Sequence, residues 1–454
     1  MKGGIALPQA FSKRVKSAAE LVKKHSFARV ISHYDADGVT AASIMCSCLK
    51  RSGIGLQATI MKSLDREAVI DLAKEANELT IFLDMGSGQI DSIEEMGSDV
   101  VILDHHKPIH DSKRIPQVNP HFFELDGMRD VSASGLAFIL ATAIDEENWN
   151  SAPLAITGFI GDMQNLGGYS AINASIIEGA VSRGLISRAN GPRLSGERLQ
   201  VMVADSPNPY FKGLSGRKEA VAEFLQSAGL DSGEKYSDLD ETSRRKLMSL
   251  LTLRLLSQGC SSETIEQLSG EQFIISSGNL KGIKIDDMVE LVNACGRMDH
   301  TGIGMALCLG DSSALQDAAK FRADYIGSLL LELKAVEEGT FESRESIQIV
   351  RPHRSSLAGA VCGISMQYLL DQNKPTIAVS RAKGSVKISS RGTHALIAKG
   401  LDLAESMKAC AEPLSGVGGG HKVAAGATVP LVREDDFLKS LDEFTCGQLH
   451  KGKK

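Results

Sequence analysis

This sequence has few of the aromatic residues that an extended aromatic binding surface needs, and no excess of positive over negative charge. Of its 454 residues, one is Trp and six are Tyr, although 14 Phe are present. The formal net charge of −6 argues against a protein that coats nucleic acid through overall positive charge. Any basic binding surface must therefore be local.

Paired cysteines and long apolar runs are also missing. The eight cysteines are scattered and form no CxxC pair, which argues against a zinc finger. We expect them to be reduced, as is usual in the cytoplasm. No apolar run reaches about 18 residues, and residues 1–24 lack the apolar core of a signal peptide. These absences predict a cytoplasmic protein with no membrane partner.

The length favours two or three domains, and the pattern of the sequence changes along the chain. In residues 1–185, short apolar strands such as ARVISH, TIFLD and VVILD alternate with helical stretches. This alternation predicts the α/β fold class, with an N-terminal doubly wound domain built on a parallel sheet.

The rest of the chain predicts an insert, a connector and a second domain. Residues 186–312 show helical patterns with charged faces and predict a helical insert, as an inserted or intermediate domain. Residues 313–340 predict a connector helix. Residues 341–446 predict a smaller C-terminal α/β domain with a helix around residues 393–410, and residues 447–454 predict a disordered tail.

Four short segments carry Asp and His residues in a pattern that predicts a metal site. They are His33-Tyr34-Asp35-Ala36-Asp37-Gly38, Asp84 at the end of TIFLD, Asp104-His105-His106 at the end of VVILD, and Gly158-Phe159-Ile160-Gly161-Asp162. Ligands of open α/β sheets bind at the carboxyl ends of the strands, where these residues fall. One such segment alone is more often a helix N-cap or a turn, but four together favour a metal site.

The donor types in these segments favour two divalent cations. Carboxylates suit hard ions, and imidazoles shift the preference toward Mn²⁺, with Mg²⁺ as the alternative. Two metals per active site, about 3.5–4 Å apart, can share one bridging carboxylate, activate water and stabilise charge on a phosphoryl group. The candidate ligands are His33, Asp35, Asp37, Asp84, His105 and Asp162.

A second signal lies near the C-terminus, in the stretch Gly418-Gly419-Gly420-His421-Lys422. Consecutive glycines allow backbone N–H groups to approach an anion closely, although a glycine run alone is often a structural turn. No acidic residue occurs between Asp371 and Asp402, and this stretch contains several Lys and Arg. The basic stretch is either a solvated face or a surface for phosphate contacts.

The four Asp/His segments resemble the motifs of the DHH phosphoesterase superfamily, whose name describes Asp104-His105-His106 in this chain. The resemblance makes residues 1–185 the catalytic domain. It implies one metal on His33, Asp35 and Asp84, and a second on Asp37, Asp84, His105 and Asp162. It also implies that His106 lies near the scissile phosphate, and we expect Asp104 to orient an imidazole.

The C-terminal stretch is similar to the GGGH motif of the substrate domain that accompanies many DHH domains. In addition, Ser389-Ser390-Arg391 resembles the Ser-x-Arg substrate motif of RecJ-like members, without the Ser that often follows it. The substrate-binding residues implied by these resemblances are Ser389, Arg391, Gly418, Gly419, Gly420 and His421.

The resemblance favours a Mn²⁺-dependent exonuclease of the archaeal RecJ-like kind, acting on single-stranded DNA or RNA in replication or repair. In relatives of that kind, an insert such as residues 190–290 docks on replication proteins. One alternative is a phosphodiesterase for short oligoribonucleotides or cyclic dinucleotides. A second alternative is a replisome scaffold subunit, which the complete set of candidate ligands disfavours.

Overall fold

The computed structural model describes residues 5–75 and 77–451, which divide into two compact units. The first unit contains the described residues up to Gly191 together with Glu271–Ala323. The second contains Pro192–Gly270 together with the described residues from Asp324 onward. Each unit is therefore assembled from two separate stretches of the chain.

The secondary structure elements follow in chain order. The strands are β1 Phe27–His33, β2 Gly55–Met61, β3 Leu79–Leu83, β4 Asp99–Leu103, β5 Gln117–Val118, β6 Ile186–Pro192, β7 Ser269–Ile275, β8 Glu342–Ser343, β9 Gln348–Val350, β10 Thr376–Ala382, β11 Ser385–Arg391, β12 Val417–Gly420 and β13 Ala424–Pro430. The α-helices are α1 Gln9–Lys23, α2 Ala36–Arg51, α3 Arg66–Ala73, α4 Ile90–Glu94, α5 Ala133–Ile144, α6 Ala152–Gly161, α7 Ala171–Ser182, α8 Leu199–Ala204, α9 Lys218–Ser227, α10 Glu241–Ser257, α11 Ser262–Glu266, α12 Ile285–Arg297, α13 Thr301–Cys308, α14 Ala314–Glu337, α15 Ala358–Tyr368, α16 His394–Ala398, α17 Leu403–Ala411 and α18 Glu434–Lys451.

The first unit is built on a parallel sheet with the strand order β2-β1-β3-β4-β5. Successive residues of each central strand face opposite sides of the sheet. Ile81 belongs to the core shared with α2, α5 and α6, whereas its neighbour Phe82 belongs to the core shared with α3 and α4. Because both faces are covered, the central strands β1, β3 and β4 consist mostly of buried apolar residues. The predicted doubly wound parallel sheet is confirmed.

Residues 186–312, expected to form one inserted domain, contribute to both units. Their helices α8 to α10 bury Val221 and Leu251 in a core that also contains Leu329 and Val361, from α14 and α15. In contrast, α12 packs on α2 and α6 of the first unit. Strands β6 and β7 also pair with each other in this otherwise helical stretch.

The second unit contains a six-stranded mixed sheet with the order β12-β13-β11-β10-β9-β8. A separate core between this sheet and the helices α17 and α18 contains Ile388, Met407 and Phe437. The predicted smaller C-terminal α/β domain is thereby confirmed. Among the described residues, none of the helices combines the length and apolar character that a membrane crossing requires.

Three details of the second unit differ from the expected pattern. The helix expected around residues 393–410 is broken into α16 and α17, because Gly400 has a φ of +102° and Asp402 caps the second helix. The glycine-rich stretch forms the edge strand β12. Residues 447–451, expected to be disordered, continue α18, and residues 452–454 lie outside the described chain.

The packing of α10 predicts the effect of shortening a side chain there. Leu251 is 0% exposed in the shared core, whereas Leu253 on the same helix is 60% exposed. We expect Leu251→Ala to lower the free energy of unfolding by about 2–5 kcal/mol, and Leu253→Ala to change it little. Urea unfolding of both variants measures the difference. Equal stability of the two variants would show that α10 does not belong to this core.

Candidate metal centre

The candidate metal ligands of the first unit gather at the carboxyl edge of its sheet. His33 ends β1, Asp84 follows β3, and His105 lies two residues beyond the end of β4. Because the three strands are parallel neighbours, their carboxyl ends lie side by side. Asp35 is the N-cap of α2, and Asp162 is the C-cap of α6. Strand ends and helix ends thus converge on one place.

The side chains of these residues approach one another closely. His33 Nδ1 lies 2.9 Å from Asp35 Oδ2 and 3.3 Å from Asp84 Oδ2. His105 Nε2 lies 3.3 Å from Asp84 Oδ1 and 3.1 Å from Asp162 Oδ2. Asp84 therefore stands between the two imidazoles, with one carboxylate oxygen turned toward each.

The donor atoms fit divalent cations. Within each of three groups, the possible ligand atoms lie within 4.8 Å of one another, and the groups are His33–Asp35–Asp84, Asp37–His105–Asp162 and Asp84–His105–His106. In addition, the buried atoms His33 Nδ1 and Asp84 Oδ1 lie at ion-pair distance from charged neighbours but make no hydrogen bond of good geometry within the described residues. Buried polar atoms without well-formed hydrogen bonds are costly, and bound cations would supply the interactions that these atoms lack.

Asp37 is held by a turn that comes from a distant part of the chain. Its Oδ1 accepts hydrogen bonds from Ser132 Oγ at 2.6 Å and from the Ser134 backbone N–H at 2.9 Å. Its Oδ2 accepts from the Ala133 backbone N–H at 2.7 Å. A Cβ at Gly158 would lie 2.6 Å from Asp37 Oδ1, so a residue without a side chain is needed there. These contacts fix the carboxylate in one orientation.

His105 and His106 are oriented by different groups. His105, with its side chain 4% exposed, has Nδ1 2.7 Å from the backbone oxygen of Gly127, and its Nε2 faces the carboxylates. His106 is 47% exposed, and its Nδ1 lies 2.8 Å from Asp104 Oδ1. Asp104 Oδ2 accepts the backbone N–H of Ser87 at 2.9 Å. The contact to Asp104 leaves the second ring nitrogen of His106 available for a substrate.

The backbone around the centre is closely packed. Asp84 has a φ of +58°, a left-handed conformation that costs free energy for a residue with a side chain. A Cβ at Gly38 would lie 2.4 Å from the His33 backbone oxygen, so only glycine allows this approach. On the far side, Asn293 of α12 accepts the backbone N–H of Ala36 at 2.9 Å through its side-chain oxygen.

Burial and charge together shift the pKa values of these groups. Burial disfavours the charged form of His33, but Asp35 and Asp84 outweigh it and raise its pKa to about 11. Burial, and then the charge of Asp162, raise the pKa of Asp37 to about 8. Burial would raise the pKa of Asp84, yet His105 and His33 lower it below its usual range. The cluster thus combines negative charge with retained protons, which metal ions displace when they bind.

The predicted substrate-binding residues lie in the second unit, on and next to the β12-β13-β11 part of its sheet. Gly419 pairs with Gly426, which pairs with Ser389 on its other side. Directly paired residues share a face, so these three form a shallow floor with little side chain. Lys387 and Arg391 are the next residues on that face of β11, before and after Ser389. The floor is therefore flanked by two cations.

Arg391 lies along helix α15. A Cβ at Gly359 would come within 3.3 Å of its guanidinium, and a Cβ at Gly363 within 3.8 Å of its side-chain carbons. Its Nη1 donates to the backbone oxygen of Ser390 at 2.9 Å. His421 is exposed in the turn that joins β12 to β13. The two glycines of α15 thus leave the space in which the Arg391 side chain lies.

The three consecutive glycines have different surroundings. A Cβ at Gly418 would lie 2.3 Å from the backbone oxygen of Met407 in α17, and Gly420 has a φ of +137°. At Gly419, a Cβ would meet nothing within 4 Å. Gly418 and Gly420 are therefore required by packing and backbone conformation, whereas Gly419 leaves open space above the sheet.

Several groups that support the metal centre carry no sequence pattern that predicts a role for them. These are the Ser132–Ser134 turn, the backbone oxygen of Gly127, Ser87, and Asn293. Their contributions come from backbone atoms and neutral side chains far away in sequence. None of these groups belongs to the four Asp/His segments that carry the resemblance to DHH proteins.

Comparison with known proteins agrees with this architecture. Residues 28–159 match the family model described as "DHH family, N-terminal domain", and residues 349–445 match the DHHA1 domain. An uncharacterised protein of Methanocaldococcus jannaschii is 31% identical over 453 residues, which cover 97% of this chain and 98% of that protein. The chain belongs to the DHH family.

Solved structures share the fold of the whole chain. RecJ of Thermus thermophilus, solved in complex with Mn²⁺, has a TM-score of 0.61 and 18% identity, with 98% of this chain covered. The same protein in complex with Mg²⁺ has a TM-score of 0.56 and 17% identity, again with 98% of this chain covered. This chain spans 55% and 53% of those RecJ chains. CDC45 of Entamoeba histolytica has a TM-score of 0.66 and 12% identity, covering 96% of this chain and 99% of that chain.

The glycine surroundings predict two different outcomes of the same substitution. We expect Gly418→Ala to lower the melting temperature by several degrees, because the new Cβ collides with the backbone of α17. We expect Gly419→Ala to leave the melting temperature nearly unchanged, because its Cβ enters open space. Thermal unfolding of the two variants measures this. Equal destabilisation by both would contradict the distinction between a packing glycine and an open one.

Proposed function

We propose that this protein is a two-metal phosphoesterase that hydrolyses phosphodiester bonds in single-stranded nucleic acid, as a RecJ-like exonuclease in DNA replication or repair. The observation that carries the proposal is the buried cluster of carboxylates and imidazoles at the carboxyl edge of the parallel sheet. Its buried atoms His33 Nδ1 and Asp84 Oδ1, which make no well-formed hydrogen bond, are what a site for cations requires.

The distances support two cation positions that share Asp84. The first ion would be held by His33, Asp35 and Asp84. The second would be held by Asp37, Asp84, His105 and Asp162. When bound, such a pair of ions activates water and offsets negative charge on the phosphate. The carboxylates and imidazoles of the chain would fix the positions of both ions.

Mn²⁺ is the cofactor that we propose, with two ions per active site and Mg²⁺ as the alternative. Imidazole ligands shift preference away from Mg²⁺, which favours an all-oxygen environment. Both proposed positions contain an imidazole, from His33 in one and from His105 in the other. The Thermus RecJ structures, solved with each of the two ions, support the same pair of candidates.

His106 and Asp104 are proposed as the catalytic residues outside the ligand set. His106 is more exposed than His105, so it can reach a phosphate. Burial lowers the pKa of His106, but its contact with Asp104 outweighs this and raises the pKa above its usual value. A protonated His106 would donate a hydrogen bond to a phosphate oxygen. Asp104 would orient the ring and stabilise its charge.

The face of β11 supports a substrate with more than one phosphate. Lys387, Ser389 and Arg391 occupy alternate positions on it, so neighbours are separated by about 6.7 Å, twice the rise per residue of a strand. Cations and a hydroxyl in such a row suit the regular charges of a nucleic-acid strand. Gly418, Gly419 and Gly420 of β12, and His421 in the turn that follows, would offer backbone and imidazole donors to the same nucleic-acid strand.

One hydrolysis assay distinguishes the proposed function from two alternatives. A phosphodiesterase for short oligoribonucleotides or cyclic dinucleotides would use the same centre on smaller substrates. A replisome scaffold subunit is favoured by the fold shared with CDC45, but such a scaffold has no need of the cluster of candidate metal ligands.

Replication proteins are the partners that we propose for residues 190–290. On α10, Leu253 and Leu256 are 60% and 53% exposed and lie three residues apart, so they share one face of the helix. Exposed apolar side chains on one helix face are typical of contact sites between proteins. Docking would involve this face of α10, while hydrolysis takes place at the centre of the first unit.

The proposed activity can be tested on end-labelled single strands of DNA and RNA of several lengths, with Mn²⁺ or Mg²⁺ added after removal of metals. We expect stepwise shortening of strands, faster with Mn²⁺ than with Mg²⁺ at equal concentration. Hydrolysis restricted to dinucleotides would favour the small-substrate phosphodiesterase. Absence of hydrolysis with either metal would favour the scaffold.

A matched pair of variants ties the activity to the centre. We expect Asp84→Asn to lower the rate at least about a hundredfold, the scale on which loss of one stabilising charge acts in an active site. Asp99→Asn is the control, because Asp99 is exposed at the opposite, amino end of β4. Both variants should melt near the wild-type temperature. Comparable activity of the two would contradict the proposed role of Asp84.

A further inference from the structure

Two exposed methionines are sequence neighbours of groups that build the candidate metal centre, and the proposed function so far gives them no part. Met128 is 53% exposed and Met163 is 48% exposed. Met128 directly follows Gly127, whose backbone oxygen contacts His105. Met163 directly follows Asp162. Each methionine is therefore one residue away from a group that builds the centre.

A buried amide fixes the two methionine loops to each other. Gln164, 2% exposed, donates from Nε2 to the backbone oxygen of Gly127 at 2.9 Å. Its Oε1 accepts from Asn173 Nδ2 at 2.9 Å. Met128 and Met163 are the sequence neighbours of the two residues joined by the first of these bonds. The hydrogen bond between Gln164 and Gly127 therefore links the backbone segments that carry the two methionines.

The backbone of Met163 adds a second observation. Its φ is +60°, in the left-handed region that residues with bulky side chains avoid. Because the Met163 side chain is exposed, packing does not compensate for the unfavourable backbone conformation. Strained backbone positions of this kind cluster at functional sites. Leu166, 38% exposed, donates its backbone N–H to Met163 at 3.2 Å and extends the apolar surface.

We propose that Met128 and Met163 form an apolar rim that contacts the base of the nucleotide whose phosphate lies at the metal centre. This inference rests on the proposed function and specifies its substrate class: a phosphodiester that carries nucleosides, and not a bare polyphosphate. Thioether side chains are flexible and polarisable and make favourable contacts with aromatic rings. Because they offer no strong hydrogen-bonding group, they accept any base, which suits digestion without regard to sequence.

The test compares strands whose terminal nucleotide carries its base with strands whose terminal nucleotide is abasic, at either end. The ratio of kcat/KM for the two strands measures the contribution of the base. We expect the wild-type protein to prefer the base-bearing strand about five- to tenfold. The double variant Met128→Gln/Met163→Gln should lose most of this preference.

A control and a second variant guard against indirect effects. Leu309→Gln replaces an equally exposed residue, 50%, which lines a cavity at the opposite end of α2 from the metal centre. It should keep the full preference for the base. Met163→Gly removes the side chain and suits the left-handed backbone, so it should fold normally and still weaken the preference. Melting temperatures check that all three variants are folded.

The outcomes separate this inference from the function on which it rests. A wild-type preference that survives in the methionine variants would overturn the inference, as would a wild-type protein that treats both strands alike. In either case hydrolysis of single strands itself would stand. If the wild-type protein hydrolysed neither strand, the proposed function would fail, and the inference would fail with it.

Discussion

The burial of several carboxylates at one edge of a sheet is the constraint around which the first unit is organised. A buried charge is costly unless it is paired or hydrogen-bonded. Asp37 meets this requirement with three hydrogen bonds from the Ser132–Ser134 turn, and Asp84 by lying between His33 and His105. Two buried atoms nevertheless stay without hydrogen bonds, which is the state that bound cations would relieve. The same arrangement that makes the apo cluster costly would therefore make it a strong cation site.

The candidate substrate surface of the second unit is shaped by glycines, which leave space where other residues would place side chains. Gly418 and Gly420 allow an edge strand to approach α17 and to bend toward its turn, and Gly419 and Gly426 leave a floor beside Ser389. In α15, two further glycines make room for Arg391. A substrate strand would lie against backbone and a few charged side chains, a surface that depends little on the identity of its bases.

Much of this architecture follows from the sequence because the strong signals are local. The apolar runs that end in Asp84 and in Asp104-His105-His106 gave both the parallel sheet and the positions of the candidate ligands. The weaker parts depended on tertiary structure. A glycine run predicts a turn, and only its pairing with a neighbouring strand shows that it is a strand here. The helical pattern of residues 393–410 did not predict the break at Gly400. No local pattern shows that residues 186–312 contribute to two cores.

The cluster at the carboxyl edge is proposed to hold two ions that share Asp84. Titration of the metal-free protein with Mn²⁺, followed by electron paramagnetic resonance, counts the bound ions and detects magnetic coupling between neighbours. We expect two Mn²⁺ per chain with a coupled spectrum. Binding of a single uncoupled ion, or of none at concentrations that support hydrolysis, would contradict it.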